Sequence, residues 1–131
     1  MKYTYTATFV PFEDLTGFYA RIPDLPGCVT TGKSLEDAID QIKDAASLWL
    51  VSAEDHNDPI PAPTPQNEIH PEEPAIFSLI QVDTIAYRAA TDTRAVRKNV
   101  SLPAWMVQLA EKRNINCSQL LQDSLLAKFS Q

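Results

Sequence analysis

Six of the ten prolines fall between residues 59 and 74. Proline fixes φ and has no N–H, so this stretch can be neither helix nor central strand. It must cross a surface as an extended loop. The chain is therefore read as elements before this loop, the loop itself and elements after it.

The first stretch has the material for a sheet and a helix. From Lys2 to Val10, Tyr3, Tyr5, Ala7 and Phe9 alternate with Thr4, Thr6 and Thr8, which reads as a strand. Residues Pro11 to Thr16 form a turn ended by Gly17. A second strand follows, with Phe18, Ala20 and Ile22 on one face and Tyr19 and Arg21 on the other. Pro23-Asp24-Leu25-Pro26-Gly27 is a tight bend before a short third strand, Cys28 to Thr31. The three strands predict an antiparallel meander. Ser34 can cap a helix, with Asp37 placed to reach back, and apolar residues recur at helical spacing from Leu35 to Trp49. The helix is expected over Leu35 to Ala53. Beyond the proline-rich loop, Ala75 to Val82 is apolar on both faces, which suits an inner strand. Residues 84–95 read as a polar linker with at most a short helical turn. The fold class is α+β, a βββαβ module over residues 1–83 followed by a different module at the end.

That second module spans residues 96–131. Val96 to Leu102 alternates and stops at Pro103. A short helix follows over Ala104 to Arg113, Asn114-Ile115-Asn116 breaks it, and Asn116 can cap a second helix with Gln119 at the reciprocal capping position. Leu121, Leu125 and Phe129 line that helix. Strand, Pro, helix, Asn turn, helix (βαα) is a ribbon-helix-helix pattern. Its lone strand needs a partner, and two chains pairing antiparallel supply one, so a homodimer through residues 96–131 is expected, with pairing of dimers into tetramers left open. The paired strands form a β-ribbon, an element that fits the major groove of DNA.

Charge divides the same way. Residues 1–83 hold 4 Lys and Arg against 14 Asp and Glu, a net of −10, while residues 84–131 hold 7 against 3, a net of +4. One end favours nucleic acid; the other repels it and suits a basic protein partner. On the tail strand, Arg97, Asn99 and Ser101 share the face opposite Lys98, Val100 and Leu102. The apolar pair must face the helices, so the polar trio faces the groove and is expected to read operator bases. Lys98 is left on the inward side and is expected to snorkel out. Asn116, Cys117 and Ser118 open the second helix, whose free N–H groups and positive dipole end suit a phosphate.

Other chemistry is weak. Asp37, Asp40 and Asp44 share roughly one helix stripe, but metal-dependent hydrolysis needs carboxylates that converge, and these read as a solvated face. His56 and His70, with Asp58, Glu72 and Glu73, match no ligand spacing. No metal, cofactor or catalytic residue is expected. Cys28 and Cys117 lie in different modules, so no disulfide framework is expected and both read as small buried or half-buried residues. Trp49 reads as core; Trp105 is equally compatible with the dimer and with the DNA backbone. No apolar run approaches the ~18–20 residues of a membrane span, and the start lacks a signal-peptide core, so a cytoplasmic location is expected.

The run Gly17-Phe18-Tyr19-Ala20-Arg21-Ile22-Pro23-Asp24-Leu25-Pro26-Gly27-Cys28-Val29-Thr30-Thr31-Gly32-Lys33-Ser34-Leu35-Glu36-Asp37-Ala38 resembles the HicB antitoxin family. That family shows a Gly-aromatic strand, Pro-Asp-Leu-Pro-Gly-Cys, a Gly, and a helix opening with Leu-x-acidic-Ala. Asn99-Val100-Ser101-Leu102-Pro103-Ala104-Trp105 resembles the ribbon-helix-helix tails of one branch. The resemblance implies a partial ribonuclease-H-like N-terminal module without the nuclease's metal-binding carboxylates. It further implies binding and neutralisation of a small basic RNA-cleaving HicA toxin of double-stranded-RNA-binding-type fold, and repression of the operon by the tail. On this reading Asp24, Asp37, Asp40 and Asp44 become candidate toxin contacts; none is carried onto the proline-rich loop. Two other classes stay open: a stand-alone DNA-binding regulator whose N-terminal module senses a ligand, and a metal-dependent nuclease.

Overall fold

The structure, a computed structural model, describes residues 1–71 and 73–130. The chain divides into two compact units, residues 2–91 and residues 92–131 with Met1.

In the first unit the threonine–aromatic alternation makes β1 (Lys2–Pro11), which pairs antiparallel with β2 (Phe18–Arg21); β2 pairs in turn with β3 (Val29–Gly32). The expected meander is present. After α1 (Leu35–Asp55) and the proline-rich segment, β4 (Ile76–Asp83) returns antiparallel along β1, with Tyr5 opposite Ile80. Among the described residues the sheet order is β3-β2-β1-β4. This corrects the expectation for Ala75 to Val82: β4 is an edge, and the inner strands are β1 and β2. The apolar residues on its second face, Phe77 and Leu79, stay exposed rather than covered.

Among the described residues, α1 seals one face of the sheet. Tyr5, Ala7, Phe9, Ala20, Ile80 and Val82 are buried against Ala38, Ile42, Ala46 and Leu50 of α1. Burying each of the larger side chains contributes about 1.5–3 kcal/mol. α1 starts where the sequence places it. The Ser34 hydroxyl accepts from the Asp37 N–H at 3.1 Å, and the Asp37 carboxylate accepts from the Lys33 N–H at 2.9 Å. Gly32 lets the helix start close to the sheet, because a Cβ there would meet the Ala38 nitrogen at 2.4 Å.

The Pro23–Gly27 bend is a structural corner. Leu25 is buried, its N–H donates to the Ile22 carbonyl, the Cys28 N–H donates to the Leu25 carbonyl, and Gly27 takes φ +79°. Trp49 is half-buried rather than central, and its indole N–H donates to the Pro26 carbonyl at 2.9 Å, tying α1 to this corner.

The first eight residues of the expected linker form a helix, α2 (Thr84–Thr91), which belongs to this unit. Asp83 caps it by accepting from the N–H groups of Ile85 and Ala86. The second unit holds α3 (Ala104–Lys112) and α4 (Cys117–Phe129). The residues expected as a strand, Val96 to Leu102, carry no strand in the single chain. A strand is defined by its pairing, and this unit offers the segment no second strand.

Candidate functional site

The second unit is punctuated as the sequence predicts. Pro103 stands at the N-cap of α3 in an extended conformation, Asn114 takes φ +52° after the helix, and the Asn116 side chain accepts from the Gln119 N–H at 3.1 Å. Gln119 does not reach back; its amide donates to Asp123 at 2.9 Å, so only half of the capping box forms. The cap occupies the Asn116 oxygen and leaves the amides of Cys117 and Ser118 as first-turn donors of α4. Cys117 is exposed, which corrects the expectation of burial; it sits on the first turn of a helix that has almost nothing to pack against. Arg97, Asn99 and Ser101 are all exposed, in the stretch without regular structure. So are Asn116 and Ser118.

Every large apolar side chain from Val96 to Phe129 is at least 38 % exposed. These include Leu102, Leu109, Leu121, Leu125 and Phe129, the residues that the helical spacing marks as a core. Trp105 is exposed as well.

In the first unit the four candidate carboxylates separate. Asp24 is half-buried and accepts from Thr64 through both oxygens, from the hydroxyl at 2.6 Å and the N–H at 2.8 Å. It pins the proline-rich segment, as does the Tyr5 hydroxyl, which donates to the Pro61 carbonyl. Asp37 is occupied in the α1 cap. Asp40 and Asp44 are exposed on α1. The pinned segment, with one 3-10 turn at Gln66–Glu68, borders a cleft of about 900 Å³ lined by Tyr19, Arg21, Val29, Thr64, Ile69 and others. His56 closes α1, its Nδ1 2.7 Å from the Ser52 carbonyl oxygen. Glu72 lies outside the described residues. Among the described residues no helix is long and apolar enough to cross a membrane.

Sequence reasoning misses one cluster. Glu54 accepts from the Tyr3 hydroxyl at 2.8 Å, the Thr84 hydroxyl at 3.1 Å and the Arg88 guanidinium at 3.1 Å, and Arg88 also reaches Asp55 at 2.8 Å. This ties the start of β1, the end of α1 and α2 together. Burial alone would raise the Glu54 carboxyl. The hydrogen bonds from Tyr3, Arg88 and Thr84, with the Arg88 charge, outweigh burial and hold it below its ordinary value. Burial first, and then the Glu54 acceptor, push Tyr3 up to about 12. Burial pushes the Cys28 thiol up to about 11.

A profile described as the HicB-like antitoxin of bacterial toxin–antitoxin systems matches residues 5–128. A UPF0150 protein of Thermoplasma acidophilum is 40% identical over 62 residues, 47% of this chain and 84% of that one. A UPF0150 protein of Synechocystis sp. is 39% identical over 46 residues, 35% of this chain and 63% of that one. Among solved structures, a chain of a toxin–antitoxin complex from Streptococcus pneumoniae superposes with a TM-score of 0.61 at 20% identity, covering 98% of this chain and 99% of that one. The antitoxin HicB of Burkholderia pseudomallei gives a TM-score of 0.56 at 20% identity, covering 95% and 96%. At such identity the superpositions speak to the fold alone, which is mixed α and β throughout. The profile match spans nearly the whole chain, and the protein belongs to the family of HicB-like antitoxins of bacterial toxin–antitoxin systems.

Proposed function

We propose that the chain neutralises a small basic HicA-type toxin through its acidic first unit and represses its own operon through a dimeric ribbon-helix-helix at residues 96–131. It has no catalytic role of its own, and it acts in the cytoplasm. The observation that carries the DNA-binding half is the exposure of every large apolar side chain from Val96 to Phe129 in a single chain. So small a unit cannot make a core alone, and a second copy of the same surface is the simplest cover. Pairing two Val96–Leu102 segments orders them as a ribbon, with Arg97, Asn99 and Ser101 toward the bases. Arg suits guanine O6 and N7, and Asn suits adenine N6 and N7. The amides of Cys117 and Ser118, with the Asn116 side-chain NH₂, clamp a phosphate. The toxin-binding half rests on family membership and on the −10 charge of residues 1–83. Asp40 and Asp44 serve it as exposed carboxylates; Asp24 and Asp37 serve it less directly, since their oxygens hold the loop and the helix cap.

A gel-shift series on the full chain tests the reading. Arg97→Ala is expected to cost about 1–3 kcal/mol and to relax preference at one base position. Replacing Ser118 should weaken all sequences alike and only modestly, because backbone donors remain. Toxin binding should survive both. If Arg97→Ala and Asn99→Ala bind the operator as tightly and selectively as the parent, the ribbon is not the reading head.

A further inference from the structure

We infer that the tip of the β1–β2 hairpin is a preformed anchor, with Leu15 inserting into an apolar socket rimmed by cations on the basic toxin. The inference rests on the toxin-binding reading above and assigns that reading a contact. Among the described residues four take a positive φ: Leu15 (61°), Asn57 (54°), Asn114 (52°) and Gly27 (79°). Three of the four are Asn or Gly, the residues that tolerate the left-handed region. Leu15 is the exception, since its Cβ crowds the following carbonyl oxygen there. The hairpin's hydrogen bonds hold the backbone there, but the side chain gains little inside the chain in return, because Leu15 is 81 % exposed. A single exposed Leu is ordinary on a protein surface. An exposed Leu held in a backbone conformation that Asn or Gly would occupy without strain is not, and such a residue points to use by something outside the chain.

The tip is also held in place. The Phe12 N–H donates to the Gly17 carbonyl at 2.9 Å, and the Leu15 N–H donates to the Phe12 carbonyl at 3.0 Å. Asp14 accepts from both the N–H and the hydroxyl of Thr16. Phe12 meets Tyr19 edge-on at 4.5 Å, and a Cβ on Gly17 would strike the Gly32 carbonyl at 2.5 Å, so the base of the hairpin is closed. An anchor presented in its bound shape loses little entropy on docking. The chemistry of the socket follows from the neighbours. Glu13 and Asp14 are exposed beside Leu15, and no Lys or Arg occurs between Lys2 and Arg21. Two such tips repel each other, and an anionic lipid surface repels one. A cationic protein surface fits.

The test is titration calorimetry of the full chain with its purified cognate toxin, beside thermal melting, sedimentation and the operator gel shift. Leu15→Asn should raise the melting midpoint by roughly 3–6 °C by removing the strain. It should weaken toxin binding roughly tenfold or more, as loss of a central anchor does, with operator binding unchanged. Leu15→Met keeps an apolar tip and should bind close to the parent, and Glu13→Lys should slow association. Opposite movement of stability and affinity in Leu15→Asn supports the anchor. Affinity within about twofold of the parent overturns it, as does a lowered midpoint, which would make Leu15 an internal packing residue. A change in sedimentation for Leu15→Asn assigns the tip to self-association and also overturns it. If the parent itself does not bind the toxin, the toxin-binding reading fails and takes this one with it. If the parent binds and Leu15→Asn binds equally, only the anchor fails.

Discussion

Replacing Glu54 with Gln keeps the shape of the side chain where α1 meets α2 and removes its charge. The parent carboxylate, 20% exposed, accepts from Tyr3, Thr84 and Arg88. A hydrogen bond to a charged group contributes about 1.5–3 kcal/mol, against about 1 for a neutral one. The Gln carbonyl can keep Tyr3 and Thr84 as neutral bonds, which loses about 0.5–1 kcal/mol each. The Arg88 ion pair counts for less, because Arg88 is 37% exposed and retains Asp55 at 2.8 Å; about 0.5 kcal/mol is a fair figure for so solvated a pair. The total is about 2 kcal/mol at pH 7, or a fall in melting temperature of roughly 8–16 °C for a unit of this size. The pH dependence gives the sharper check. The Glu54 carboxyl is held below its ordinary value of 4.5, so its stabilisation is fully present above pH 4.5 and is lost as pH falls through the lowered folded value. Urea unfolding of parent and variant should show a gap that is constant near neutrality and closes in acid. At the alkaline end, Tyr3 is pushed up to about 12, so its contribution is intact below pH 10 and is lost as pH rises through about 12. A gap below about 0.5 kcal/mol at pH 7, or one that persists unchanged at pH 3, would refute the assignment of Glu54 as the hub.

Asp24→Ala removes both bonds to Thr64 and should release the proline-rich segment at a cost of about 1–2 kcal/mol. Hydrogen exchange at the Thr64 amide should speed up while the amides of β1 stay protected, and unchanged exchange at Thr64 argues against the pin. The two cysteines should separate under a thiol reagent at pH 8. Cys117 is exposed and should react, whereas Cys28 is buried with its thiol pushed up to about 11 and should react only on unfolding; two fast thiols in the native protein would contradict this.

What could be read from the sequence was local. Ser34 and Asp37 mark the start of α1 because both halves of that cap lie within four residues. Pro103, Asn114 and Asn116 punctuate the tail for the same reason. What could not be read depends on partners far apart in the chain. α2 is only eight residues long, too short for its periodicity to decide its place, and Arg88 is held by Glu54, 34 positions away. Asp24 looks like a free surface carboxylate until Thr64, 40 residues on, closes over it. β4 reads as an inner strand because apolar residues on both faces normally mean burial on both. Here the second face stays open at Phe77 and Leu79, and no local signal distinguishes the two cases. Leu15 lies in a segment correctly read as a turn, but its φ of 61° is set by the hairpin's hydrogen bonds and has no signature in the residue type.

The two units meet the cost of ordering a chain in opposite ways. Residues 2–91 fold a helix onto a sheet and bury Tyr5, Phe9, Ile22, Leu25, Ile42 and Leu50 almost completely. Residues 92–131 offer a nine-residue helix and a thirteen-residue helix, lengths at which isolated helices are marginal in water. Their caps help, at about 1 kcal/mol for a good N-cap, but capping does not offset the backbone entropy of some twenty ordered residues. With no large apolar side chain of this unit less than 38 % exposed, burial within one chain cannot offset it either. In the function proposed above, the order of the tail comes from association with a second copy. On that proposal the polar residues of Arg97 to Ser101 would gain a fixed geometry at the same step that covers Leu102, Leu121 and Leu125. A tail that works as proposed would couple its capacity to read DNA to its own concentration, because a second copy would supply the surface that makes the reading head rigid.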